Sequence, residues 1–142
     1  MELLLVHPGG PFWARKDAGA WSVPKGEYDI SEDALHAACR EFREETGFDV
    51  SDLPVPLGSS VQKSGKVVSV WAIEGTCDAS AVRSNTCQME WPRGSGKWVE
   101  FPEVDRAAWF SVDEARAKLN TGQVPFVEAL CELLASGSPE IE

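Results

Sequence analysis

The sequence predicts an α/β or α+β sandwich, and three observations lead there. Hydrophobic residues make up 43% and charged residues 25% of 142 positions, ordinary globular usage that excludes disorder and collagen-like repeats. Short segments rich in β-branched and aromatic residues are separated by Gly and Pro clusters, the mark of strands and turns. A central and a terminal helical segment interleave with them. The length allows one domain, 1–142, and argues against two.

Glu2 to His7 reads as a short buried strand, closed by Pro8-Gly9-Gly10-Pro11. Phe12 to Gly26 has no helical period and reads as a long ordered loop carrying Trp13 and Trp21. Ser31 offers an N-cap, with Glu32 and Asp33 in the first turn, for a helix ending near Thr46 with Gly47 as terminator. Lys66 to Ile73 reads as a strand, with Gly58 to Lys63 as hairpin partner turning at Ser64-Gly65. Thr86 to Trp91 and Lys97 to Phe101 flank a Pro92–Gly96 turn, and Ala107 to Phe110 is a further short strand. Ser111 with Glu114 forms a capping box for a helix through Leu119. A last amphipathic helix runs from about Pro125 to Ala135, and 136–142 is expected to be a flexible tail.

The formal net charge of −10 speaks against gripping duplex nucleic acid, which needs clustered cations. The longest apolar run, Leu3 to Val6, is far short of a membrane span of about 20 residues. No basic start with an apolar core and cleavage site is seen, so a cytoplasmic location is expected. The four cysteines form no CxxC pair, and His7 and His36 complete no zinc spacing. Reduced thiols are expected, with a Cys77–Cys87 bridge the lesser alternative.

At about 100° per residue, Glu41, Glu44 and Glu45 share an arc of about 100° on the central helix. Ala34, Leu35, Ala38, Cys39 and Phe42 mark the core face beside it, so the acids sit on a cleft rim. Like charges at these spacings destabilise a helix by roughly 0.2–0.5 kcal/mol each. Arg40 or a divalent cation offsets that cost, and oxygen-only ligands suit Mg²⁺ or Mn²⁺. On the helix alone, a solvated acidic face paired with Arg40 and Arg43 is an equal reading.

Gly26, five residues, Glu32, seven residues, then Arg40-Glu41-Phe42-Arg43-Glu44-Glu45-Thr46-Gly47-Phe48 resembles the complete Nudix box of the Nudix hydrolases. All seven fixed letters and both apolar positions match, with chance odds on the order of 10⁻⁷ at one in twenty per position. The resemblance implies a Nudix-type α/β/α sandwich with a mixed β-sheet. It further implies a divalent-metal-dependent pyrophosphohydrolase that cleaves a nucleoside diphosphate linked to another moiety. By the same resemblance Glu41, Glu44 and Glu45 bind Mg²⁺ or Mn²⁺, joined by the carbonyl of Lys25. Glu32 and Arg40 brace the loop against the helix, and Gly26 is a backbone requirement. Family members usually carry another strand before the one at Glu2. Here the sheet is one edge strand short, or a partner chain repairs it in a homodimer, or the start site is misassigned.

Relatives often add one acid from outside the box as metal ligand or general base. Glu103 is favoured here, then Glu100, with Glu90 third. Lys25 is a candidate phosphate donor, and Arg15 and Lys16 are weaker ones. Of six tryptophans, Trp13 and Trp21 are best placed to stack a nucleobase. Gly94-Ser95-Gly96-Lys97 imitates a phosphate loop, but Trp91 and Trp98 stand where the motif needs Gly and Ser or Thr. Pro24-Lys25-Gly26 is similar to the branches acting on dinucleoside polyphosphates and diphosphoinositol polyphosphates. Dinucleoside polyphosphates are therefore expected, with nucleoside triphosphates or nucleotide sugars as alternatives, and a non-catalytic nucleotide sensor as the rival class.

Overall fold

Continuous apolar sequence and a cap-bounded helix translate directly into the architecture. The computed structural model describes residues 1–24, 33–50, 53–61 and 67–135, with the Ser60 side chain excepted. The elements run β1 (Glu2–Pro8), α1 (Ala34–Thr46), β2 (Val55–Val61), β3 (Val67–Ala72), β4 (Thr86–Glu90), β5 (Trp98–Pro102), β6 (Val104–Ser111), α2 (Val112–Lys118) and α3 (Val124–Ala135).

Leu5 and Val6 are consecutive and both buried. A strand covered on both faces needs no apolar–polar alternation, which is why β1 is a plain Leu-Leu-Leu-Val run. It pairs antiparallel with β6 from Glu2↔Ser111 to His7↔Arg106, and the register shifts between His7 and Pro8. β6 starts at Val104, earlier than the expected Ala107, because β1 pairs with it along its whole length. β2 pairs with β3 and β4 with β5, both antiparallel. Among the described residues the parallel contact is the Trp21↔Leu119 bridge, and the second edge of β1 meets Ser22 at Val6.

The core is Leu5, Trp21, Phe110, Ala115, Leu119 and Val127. Ser111 and Glu114 form the expected capping box, starting α2 where β6 ends and placing Ala115 in the core. Trp21 is 4% exposed. Its ring meets Phe110 and His7 edge-on at 4.9 and 5.2 Å, and its Nε1 donates to Asp17 at 2.8 Å. Trp21 is thus a core residue with no face open to a nucleobase, correcting the expected stacking role. Its apolar area is worth more inside, and its one donor has found an acceptor.

Asp33, not Ser31, is the N-cap of α1: its carboxylate accepts from the His36 N–H at 3.0 Å. Asp caps as well as Ser does, and the later residue begins the helix. At the other end Gly47 adopts φ 79° and its N–H returns to the Arg43 carbonyl at 2.8 Å, a left-handed cap that favours glycine. The buried positions of α1 are Ala37, Glu45 and Thr46. The expected core arc of Ala34, Leu35, Ala38, Cys39 and Phe42 instead lines an apolar cleft of about 1430 Å³ that extends to β1, β3 and α3.

Candidate active site

Glu41, Glu44 and Glu45 project from successive turns of α1 into a second pocket, of about 540 Å³. Glu103, from the turn between β5 and β6, lines the same pocket, as do Trp13 and Cys87, with Val6 and Pro8 of β1 and the adjoining Gly9 as a further wall. The structure therefore brings together the three glutamates that the box places on α1 and one of the three candidate outside acids.

Backbone contacts bring Glu103 there. The Gly9 N–H donates to the Glu103 carbonyl at 2.8 Å, and the Glu103 N–H donates to the Asn85 carbonyl at 2.9 Å. A Cβ on Gly9 would lie 1.9 Å from the Pro102 carbonyl oxygen, so only glycine permits this crossing. The other two candidates sit elsewhere. Glu90 accepts from the N–H groups of Gly94 and Gly96 at 2.8 and 3.1 Å. Glu100 is an exposed residue of β5 opposite Gln88.

The carboxylates crowd. Burial holds the Glu41 carboxyl above its ordinary value, and the neighbouring charge of Glu44 pushes the same way. Arg40 opposes this: its Nη1 lies 2.9 Å from Glu41 Oε1 and 3.3 Å from Glu44 Oε1. Glu103 adds a smaller upward push. Glu45 is 6% exposed. In this arrangement, among the described residues, no three His, Cys, Asp or Glu side chains converge closely enough to enclose a metal ion; the carboxylates line a shared space instead.

Trp13 meets Phe12 edge-on at 5.0 Å, and the Lys16 ammonium lies 4.1 Å from the Phe12 centroid and 5.5 Å from that of Trp13. The pocket thus joins an acidic wall to an aromatic one with a cation beside it. Lys25, Gly26 and Glu32 lie outside the described residues. Sequence reasoning missed Gly9, Asn85 and Cys87. Gly9 carried a signal, in the Pro-Gly-Gly-Pro run, but only as a strand terminator. Burial, then Glu103, pushes the Cys87 thiol up.

The NUDIX domain model matches residues 1–130. The chain belongs to the Nudix hydrolases, which act on pyrophosphate bonds. No curated protein matches it. Among solved structures it resembles a C. elegans Ap4A hydrolase binary complex (TM-score 0.61, 19% identity, covering 95% of this chain and 88% of that one). The E. coli ORF135 protein is similar to the same degree (0.61, 22%, 97% and 85%). A mutT/nudix family protein from Listeria innocua follows (0.57, 18%, 96% and 82%). These likenesses carry the α/β Nudix fold.

Proposed function

We propose that this Nudix hydrolase is a divalent-metal-dependent pyrophosphohydrolase acting on dinucleoside polyphosphates. The observation that carries it is the pocket shared by Glu41, Glu44, Glu45 and Glu103. Four oxygen-donor side chains with mutually unfavourable charge fit a hard divalent cation, Mg²⁺ or Mn²⁺, whose remaining ligands are waters and phosphate oxygens. Glu41, Glu44 and Glu45 would hold it, with the Lys25 carbonyl as a further donor. When bound, the ion supplies charge neutralisation for the polyphosphate and a lowered pKa for the attacking water.

The chain's own groups do the rest. Glu103 lines the same pocket from the turn between β5 and β6, and it would accept a proton from the attacking water or join the ligands of the ion. The water oxygen bonds to phosphorus in line as the phosphoanhydride P–O bond breaks, giving two phosphate-ended products. Arg40 holds Glu41 and Glu44 in place. Trp13 offers a ring for one base, a contact worth about 1–3 kcal/mol, and Lys16 and Lys25 offer cations to the phosphates. An Ap4A hydrolase shares this fold. Four free thiols are in keeping with a reducing cytoplasm.

The test is nucleotide or phosphate release with Mg²⁺ across nucleoside triphosphates, dinucleoside polyphosphates and nucleotide sugars, for wild type and Glu44→Gln. Turnover of dinucleoside polyphosphates, lost by about 10²-fold or more in the variant, is the expected result. Turnover of another class alone would replace the substrate. No turnover with tight binding of one compound would make the chain a sensor.

A further inference from the structure

We propose that Asn85 is the positioning residue that holds Glu103 opposite the carboxylates of α1. The inference rests on the role given to Glu103 above. Asn85 lies between the two acidic walls and is bonded to both. Its N–H donates to the Glu44 carbonyl at 2.7 Å, and its own carbonyl accepts the Glu103 N–H at 2.9 Å. The last carbonyls of a helix lack intrahelical partners, and the segment leading into β4 supplies them: the Arg83 N–H donates to the Thr46 carbonyl at 2.8 Å. The segment carrying Asn85 is thereby bolted to the turn of α1 that carries Glu44 and Glu45.

The side chain continues the connection. The Ser84 hydroxyl lies 3.3 Å from Asn85 Oδ1 and 2.8 Å from the Asn85 carbonyl, and it accepts the Val104 N–H at 3.0 Å. With the amide oxygen on the Ser84 side, the amide nitrogen is the end that meets Glu103 Oε1, at 3.4 Å. Ser84 and Asn85 thus grip residues 103 and 104 together. A carboxylate on a turn has several rotamers, and this donor selects the one observed. Because Asn85 is exposed, its replacement leaves the core intact.

The experiment is a double-mutant cycle on the full chain with the substrate that the panel above identifies, assayed with Mg²⁺, using Asn85→Ala and Glu103→Ala singly and together. Asn85→Asp serves as a shape-matched variant that sets a carboxylate against Glu103. We expect either Asn85 variant to lower kcat about 10-fold with KM within about 2-fold, and Asn85→Ala to cost nothing further in the Glu103→Ala background. The Asn85 side-chain amide signal in a ¹⁵N NMR spectrum should move on Glu103→Ala without any substrate or metal. Independent, multiplying losses, or an amide signal blind to Glu103→Ala, overturn the positioning role alone. A silent Glu103→Ala overturns the role of Glu103 and this inference with it.

Discussion

His7 Nε2 donates to the main-chain carbonyl of Lys16 at 2.6 Å. A carbonyl can only accept, so this ring nitrogen carries the hydrogen, while Nδ1 faces Asp105 Oδ1 at 2.9 Å. The imidazole is fully buried. It ties β1 and β6 to the loop that presents Trp13 to the pocket. His7→Ala is expected to destabilise the protein by about 3 kcal/mol, leaving a cavity and two polar partners unmet, and to raise KM more than it lowers kcat. Urea unfolding and steady-state kinetics check both; an unchanged KM would detach Trp13 from substrate binding.

Gly9→Ala places a methyl into the Pro102 carbonyl oxygen, and neither group is a flexible side-chain end. The backbone crossing must open, at a cost of about 2 kcal/mol or more. Glu103 moves with it, so activity should fall even at temperatures where the variant is fully folded.

Arg40→Gln removes the cation between Glu41 and Glu44. Both pairs are partly exposed, so the loss of stability in chelator should be modest, about 1 kcal/mol. Millimolar Mg²⁺ should raise the melting temperature of the variant by more than that of wild type, since the ion relieves the uncompensated charge. Equal shifts would show that the ion binds elsewhere.

The raised pKa of Glu41 gives a pH signature. A carboxyl whose pKa rises on folding binds its proton more tightly in the folded state. In chelator its favourable contribution is complete below the ordinary glutamate value and is lost as pH rises through the elevated folded value. Wild-type stability relative to Glu41→Gln should therefore decline as pH rises above the ordinary glutamate value. Mg²⁺, which binds the deprotonated form, should flatten the decline. A difference independent of pH in chelator would contradict the burial of Glu41.

The sequence was most informative where chemistry is local. The box spacing located α1 and its carboxylates, and Ser111 and Glu114 announced α2, because helix periodicity and capping act within one or two turns. Trp21 misled because the residue type says nothing of which side of a loop it occupies; only the covering by Phe110 and His7 decides it. Glu103, Glu100 and Glu90 were not separable by spacing, since the end of β4, β5 and the β5–β6 turn set their three different directions. Asn85 and Cys87 became site residues through contacts with α1 and residue 103, far away in the chain.

Glu90 accepts from the N–H groups of Gly94 and Gly96, within the Gly-Ser-Gly-Lys turn that imitates a phosphate loop. Backbone amides that converge on one spot make an anion receptor, and here the molecule has plugged the receptor with its own side chain. A polyphosphate arriving near this hairpin meets a negative charge already seated there. The amides of the turn are therefore satisfied from within the chain, and the hairpin offers a passing phosphate no open cradle. Glu90→Ala would unplug the receptor and give inorganic phosphate a new weak binding site.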